Sequence, residues 1–139
     1  MVRRDVAAQK IARAQGWLND AEVILAQPEE VFLADVRSRD LAAFYVFLAV
    51  QECIDLAAHW VADAGWGPPD DAASTFDVLA DRNAIDRSLA DAMRAATGLR
   101  NRIAHGYGRL EHRRLYGECR EGLRSLRQFL VAVAAASGV

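Results

Sequence analysis

Eight consecutive residues hold more reactive chemistry than the rest of the chain: Arg100, Asn101, Arg102, Ile103, Ala104, His105, Gly106 and Tyr107. They combine permanent cations, an amide, an imidazole and a phenol. A fixed cation near a histidine of unperturbed pKa ~6.5 is a minimal set for cleaving a phosphodiester that carries its own nucleophile. RNA supplies that nucleophile as its 2′-hydroxyl. Imidazole would remove its proton or protonate the leaving 5′-oxygen, and arginine would stabilise the charge developing on the phosphoryl oxygens. This chemistry calls for no metal and no cofactor. The same residues also fit a helix C-terminus at which Arg and His meet the negative end of the macrodipole, and on spacing alone that reading is the stronger.

Arg100 and His105 lie five apart, about 140° round a regular helix and roughly 7.5 Å along it. They converge if the helix ends at His105 and turns the imidazole, or if two copies of the chain face each other across a cleft. Asn101, four before His105, is placed to hold one imidazole nitrogen. Residues 105–108, His-Gly-Tyr-Gly, are expected to end the helix, with the glycines supplying the backbone freedom of the stop.

Apolar residues at helical spacing predict the elements that position this stretch. A first amphipathic helix spans residues 1–26, with Val6, Ile11, Ala14, Trp17, Leu18, Ala21, Ile24 and Leu25 on its apolar face. A short piece at 29–33 leads into a long helix at 35–64 whose centre, residues 41–50, is apolar on every side. Such a run exceeds what one thin bundle covers and predicts a subunit interface. Beyond a Gly-Trp-Gly-Pro-Pro loop at 65–69 come a short helix at 74–80 and a longer one at 85–104 with Ile85, Leu89, Met93, Ala96 and Leu99 inward. The last, at 111–136, turns Leu115, Cys119, Leu123, Leu126, Leu130 and Val133 inward and Arg113, Arg120, Arg124 and Arg127 outward. The fold class is all-α: an up-and-down bundle of about four main helices plus a short one, in a single domain covering residues 1–139.

Charge is segregated along the chain. Residues 1–92 carry a net of -8 and residues 93–139 a net of +6, so the basic third holds the reactive stretch. Of the 17 cations all but Lys10 are arginine, which suits bidentate phosphate contacts, although a GC-rich coding sequence explains the count alone as well. Arg102, Arg109, Arg113 and Arg114 are the candidate RNA-binding cations. Cys53 and Cys119 lack CxxC spacing and read as buried free thiols in a reducing compartment. Asp55 and His59 share a helix face, but two ligands without a third make a weak metal site, and a partnered structural or interface pair is the plainer reading. The run at 41–50 spans only ~15 Å as a helix, too short for a bilayer, and the chain shows no secretory leader pattern, so a cytoplasmic location is expected.

Arg-x4-His-x-Tyr, here Arg100, His105 and Tyr107, preceded by Leu99 and followed by Gly108, resembles the signature of the HEPN superfamily and specifically its HepT-like toxins. The likeness extends over nearly the whole chain. It takes in the apolar helix running into Gln51-Glu52-Cys53-Ile54-Asp55-Leu56-Ala57, the loop at 65–69, and the stretch from Leu99 to Arg109. The resemblance implies an all-α homodimer with two motifs on one cleft, acting as a metal-independent ribonuclease toxin of a toxin-antitoxin system. It also implies an MntA-like nucleotidyltransferase antitoxin that adenylylates the tyrosine, with scope for a larger hetero-oligomer. Carried over, Arg100 and His105 are catalytic, Asn101 supports them and Tyr107 receives AMP. Where relatives often have Asp-Pro after the motif, this chain has Glu111-His112, and neither His112 nor His59 acquires a role. The competing expectation is an inactive helical module that partners a nucleotidyltransferase; an intact Arg, His and Tyr argue against it.

Overall fold

The computed structural model describes residues 3–139; Met1 and Val2, included in the expected first helix, lie outside the described residues. Six helices follow one another: α1 (Arg4–Leu25), α2 (Glu29–Ala34), α3 (Val36–Ala64), α4 (Ala72–Asp81), α5 (Arg87–Gly106) and α6 (His112–Ser137), with a 3-10 turn at Tyr107–Arg109 between the last two. No strand occurs among the described residues. The four long helices carry the bundle, and α2 and α4 are the short pieces.

Local chemistry sets the boundaries. Asp35 starts α3 by accepting from the Arg37 amide at 3.1 Å and from the Ser38 hydroxyl at 2.8 Å. Gly65 stops it in the left-handed conformation at φ 71°, ψ 30°, where a side chain is strained. Asp71 and Ser74 form a reciprocal capping box that opens α4 two residues earlier than apolar spacing indicates. Asp86 accepts from the Leu89 amide at 2.7 Å, so α5 begins at Arg87 and Ile85 packs from the preceding turn.

α1 lies along α3, α6 packs against α1, α3 and α5, and α4 closes on α3 and α5. The inward faces form one buried cluster in which Leu18, Leu56, Phe76, Leu79, Leu126 and Phe129 are fully enclosed. Phe129 takes Phe76 edge-on at 5.3 Å between centroids and also meets Trp60. Every residue expected inward on α6 is buried, and both cysteines are free and buried. Burial pushes the Cys119 thiol up to about 12 and raises Cys53 as well.

Residues 41–50 divide by face. Ala42, Ala43, Val46, Ala49 and Val50 are buried by the chain itself, whereas Leu41 and Phe44 stay exposed, Phe44 by 53%, with Phe47 half-covered beside them. The uncovered part is therefore a stripe. The apolar character also runs past Val50, so that α3 is long and apolar enough by length and composition to cross a membrane; its inner face is nonetheless buried in this bundle. This corrects the length argument made from residues 41–50 alone.

Truncation should separate core from surface on α6. Leu126→Ala, at 0% exposure, is expected to cost about 2–5 kcal/mol in urea denaturation. Val131→Ala, at a position 70% exposed, should stay within roughly 0.5 kcal/mol of the wild type.

Candidate active site

The reactive stretch forms the last two turns of α5 and the turn after it. α5 does not end at His105: it runs through Gly106, where the backbone breaks at φ -153°, ψ 30°, and Tyr107 opens the 3-10 turn. Neither Gly106 nor Gly108 adopts the left-handed conformation, so the stop is made at Gly106 without a positive φ. Because His105 keeps helical geometry, it remains about 140° round the helix from Arg100. One chain therefore does not turn the two side chains together.

Arg100 faces α3. Its Nη1 donates to Gln51 Oε1 at 2.5 Å, and its buried Nε has no hydrogen-bond partner. Arg87, Arg94, Arg102, Arg113, Arg114 and Arg127 of α5 and α6 pair with carboxylates; Arg100, like Arg120 and Arg124, does not among the described residues. A half-buried guanidinium held by a neutral amide keeps its full charge for an incoming anion.

Tyr107, in the turn past the break, also reaches α3. Its hydroxyl donates to Asp40 Oδ1 on α3. The ring borders a groove of about 300 Å³ lined by Asp40, Ala43, Phe44, Phe47, Ile103, Ala104 and Tyr107. Burial, reinforced by the Asp40 hydrogen bond and charge, raises the phenol well above its ordinary range, with Arg39 opposing weakly.

His105 is exposed on another side, in a shallow hollow of about 390 Å³ formed with Asn101, Arg102, Gly106, Arg109 and Leu110. Asn101 is exposed too, and no side-chain hydrogen bond joins it to His105 among the described residues. Arg102 leans toward α6 and pairs with Glu118, which also holds Arg114. Arg113 pairs with Glu29 at 3.0 Å. Of the four candidate RNA-binding arginines, only Arg109 lacks an ion pair among the described residues, so this face is less positive than its sequence charge suggests. Arg102, turned to Glu118, also leaves Arg39 as the arginine that acts on the Tyr107 phenol.

Asp55 is drawn to Lys10 at 3.4 Å, where Glu52 joins at the same distance, rather than to His59. His59 is exposed, and no trio of potential metal ligands occurs among the described residues.

Two site neighbours escaped sequence reading. Gln51 was visible as a polar residue at the end of the apolar run but had no assigned partner. Asp40 precedes that run unremarked. Their signal is the stripe Asp40, Phe44, Phe47, Gln51, in which two polar groups bracket apolar ones at helical spacing on the face that α5 meets.

The arrangement has counterparts. A curated mRNA nuclease HepT from Shewanella oneidensis is 26% identical over 106 residues, covering 76% of this chain and 79% of its own. A solved structure described as tri-AMPylated Shewanella oneidensis HEPN toxin in complex with MNT antitoxin superposes with a TM-score of 0.87 at 24% identity, covering 94% of this chain and 98% of that one. A toxin-antitoxin complex with AMP-PNP gives a TM-score of 0.83 at 22% identity over 93% and 98%. These structures share the all-α HEPN fold. The ribonuclease HepT-like profile matches residues 16–133, and the chain belongs to that family.

Proposed function

We propose that this chain is the toxin of a toxin-antitoxin system, a metal-independent endoribonuclease that acts in the cytoplasm as a homodimer. The observation that carries the reading is Arg100: a half-buried guanidinium of the Arg-x4-His-x-Tyr stretch, held by the neutral amide of Gln51 and not by a carboxylate. An uncompensated charge of this kind costs stability, and a substrate phosphate would compensate it. The curated Shewanella oneidensis mRNA nuclease supports RNA as the substrate.

In this mechanism the 2′-oxygen attacks phosphorus, the bond from phosphorus to the 5′-oxygen breaks, and a 2′,3′-cyclic phosphate remains. His105 moves the proton and Arg100 neutralises the phosphoryl oxygens. Their divergence on α5 supports a second copy as the source of the missing group, and the Leu41, Phe44, Phe47 stripe supplies an apolar surface for it beside the motif. Asn101 supports the imidazole once the cleft is formed, and Arg109 leads the RNA contacts, with Arg102, Arg113 and Arg114 joining when phosphate displaces their carboxylates.

The toxin is silenced when a nucleotidyltransferase antitoxin of the MntA type joins AMP to Tyr107 within a larger hetero-oligomer. The AMPylated, antitoxin-bound state described for a structural relative supports this part.

Wild type should cleave RNA in EDTA, with His105→Ala and Arg100→Ala each slower by ~10²-fold or more. A dimeric His105→Ala that cuts at the wild-type rate overturns the assignment, and a wild type that never cuts favours the inactive partner module.

Light scattering should give a dimer at micromolar concentration. Phe44→Glu should shift it toward monomer by placing a charge on the stripe; a purely monomeric wild type overturns the paired cleft.

After co-expression with an active cognate nucleotidyltransferase, peptide mass spectrometry should find AMP on the peptide that bears Tyr107, and Tyr107→Phe should remain active and unmodified. An unmodified wild type refutes this regulation.

A further inference from the structure

We propose that Asp40 is the proton acceptor for chemistry at the Tyr107 oxygen, its carboxylate reaching from α3 to take the phenol proton as that oxygen attacks the α-phosphorus of a nucleoside triphosphate. The inference rests on the reading of Tyr107 as the AMP acceptor and adds the group in this chain that makes the acceptor reactive.

The hydroxyl of Tyr107 donates its hydrogen bond to Asp40 Oδ1, across 67 residues of sequence. A general base must lie within hydrogen-bond reach of the proton it removes, and Asp40 already does. The same bond aims the proton at α3 and leaves the oxygen lone pairs free. Ala43, Phe44, Phe47, Ile103 and Ala104 line the groove beside the ring, so Asp40 reaches from a helix and Tyr107 is backed by packed side chains of α3 and α5.

Such help is needed because the phenol is harder to ionise than an ordinary tyrosine: burial first, then the Asp40 contact, hold it protonated. A neutral phenol is a weak nucleophile, so the proton must leave as the new bond forms. The charged and titratable groups acting on Tyr107 are Asp40 and Arg39 from α3 and Cys119 from α6. Arg39 is a cation whose Nη1 donates to the Leu33 carbonyl at 2.6 Å, and Cys119 is a buried thiol pushed up to about 12. Asp40 is the base of the set.

In the transfer, a bond forms between the Tyr107 oxygen and the α-phosphorus. The bond from that phosphorus to the bridging oxygen breaks, pyrophosphate leaves with the electron pair, and the phenol proton passes to Asp40. The product oxygen has no proton left to donate. Once Asp40 releases the proton to water, its carboxylate faces an anionic phosphodiester and repels it. The modified side chain then leaves Asp40, so the tie between the turn and α3 is broken by the reaction it assists.

The test uses the full chain, ATP and the nucleotidyltransferase, with single-turnover transfer followed by mass spectrometry for wild type, Asp40→Asn and Asp40→Glu. Asp40→Asn is expected to slow the transfer by ~10²-fold with an unchanged half-saturating ATP concentration, and Asp40→Glu to recover part of the rate. The Asp40→Asn rate should climb about tenfold per pH unit above neutrality as hydroxide ionises the phenol, while the wild-type rate rises far less. In a titration of carbon-labelled tyrosine followed by NMR, Tyr107 should ionise above the ordinary value of about 10 in the wild type and fall back toward it in Asp40→Asn. This also reports that the variant is folded. Equal rates and equal pH profiles for wild type and Asp40→Asn overturn the role of Asp40 and leave AMP transfer standing. A wild type that accepts no AMP overturns the reading beneath it, and the inference falls with that reading.

Discussion

The packing of α5 against α3 is the contact on which the site depends. Two polar ties bracket it, Arg100 to Gln51 at one end and Tyr107 to Asp40 at the other. The partners run in opposite order, 51 to 40 on α3 while 100 on α5 leads to 107 in the turn after it, so the helices lie antiparallel. Between the ties Ala43, Phe44 and Phe47 border the same groove as Ile103 and Ala104. Apolar contact brings the helices together without choosing a register; the two hydrogen bonds, each to a group that is charged on one side, favour this one. A slip of α5 along α3 would break both ties and leave Arg100 without the amide that orients it.

Electrostatics sharpens the difference between arginines that hold the fold and those open to a ligand. Glu118 draws Arg102 and Arg114 onto α6, and Asp77 draws Arg87 and Arg94 together where α4 meets α5. These pairs are partly exposed, so each contributes little to stability; their larger effect is to lower the net field of the basic third. Against that background Arg100 and Arg109, like Arg120 and Arg124 on α6, have no ion pair among the described residues, Arg100 half-buried beside α3 and Arg109 exposed in the turn that follows α5. The segregated charge seen in the sequence is real, but most of it is spent inside the molecule.

Helices were legible because their apolar residues repeat with the period of a buried face, and the stripe of α6 from Leu115 to Val133 is buried at each expected position. Caps were less legible: the Asp71 and Ser74 box moves the start of α4 to Ala72, which apolar spacing does not reveal. The motif's residue types were legible too, but their directions were not. Arg100 meets Gln51 across 49 residues and Tyr107 meets Asp40 across 67, separations that local periodicity does not encode. The glycines misled for a related reason. A 3-10 turn needs no positive φ, so Gly106 and Gly108 end α5 without the conformation that made them look necessary.

One geometric fact links the proposed catalysis to its proposed control. Along α5 Arg100 and His105 diverge by about 140°, whereas Arg100 and Tyr107 both reach α3, through Gln51 and Asp40. The proposed AMP acceptor thus shares a helix neighbour with the fixed cation, which the proposed catalytic imidazole of the same chain does not. A phosphodiester attached at Tyr107 would enter at the border of the apolar stripe around Phe44, on the side where Arg100 meets α3. Both surfaces that the proposed cleavage would use, the cation for substrate phosphate and the face for a second copy, lie on that side. On the proposed reading a single modification at that junction opposes catalysis without touching His105, so a tyrosine two residues past the imidazole would serve control better than the imidazole itself.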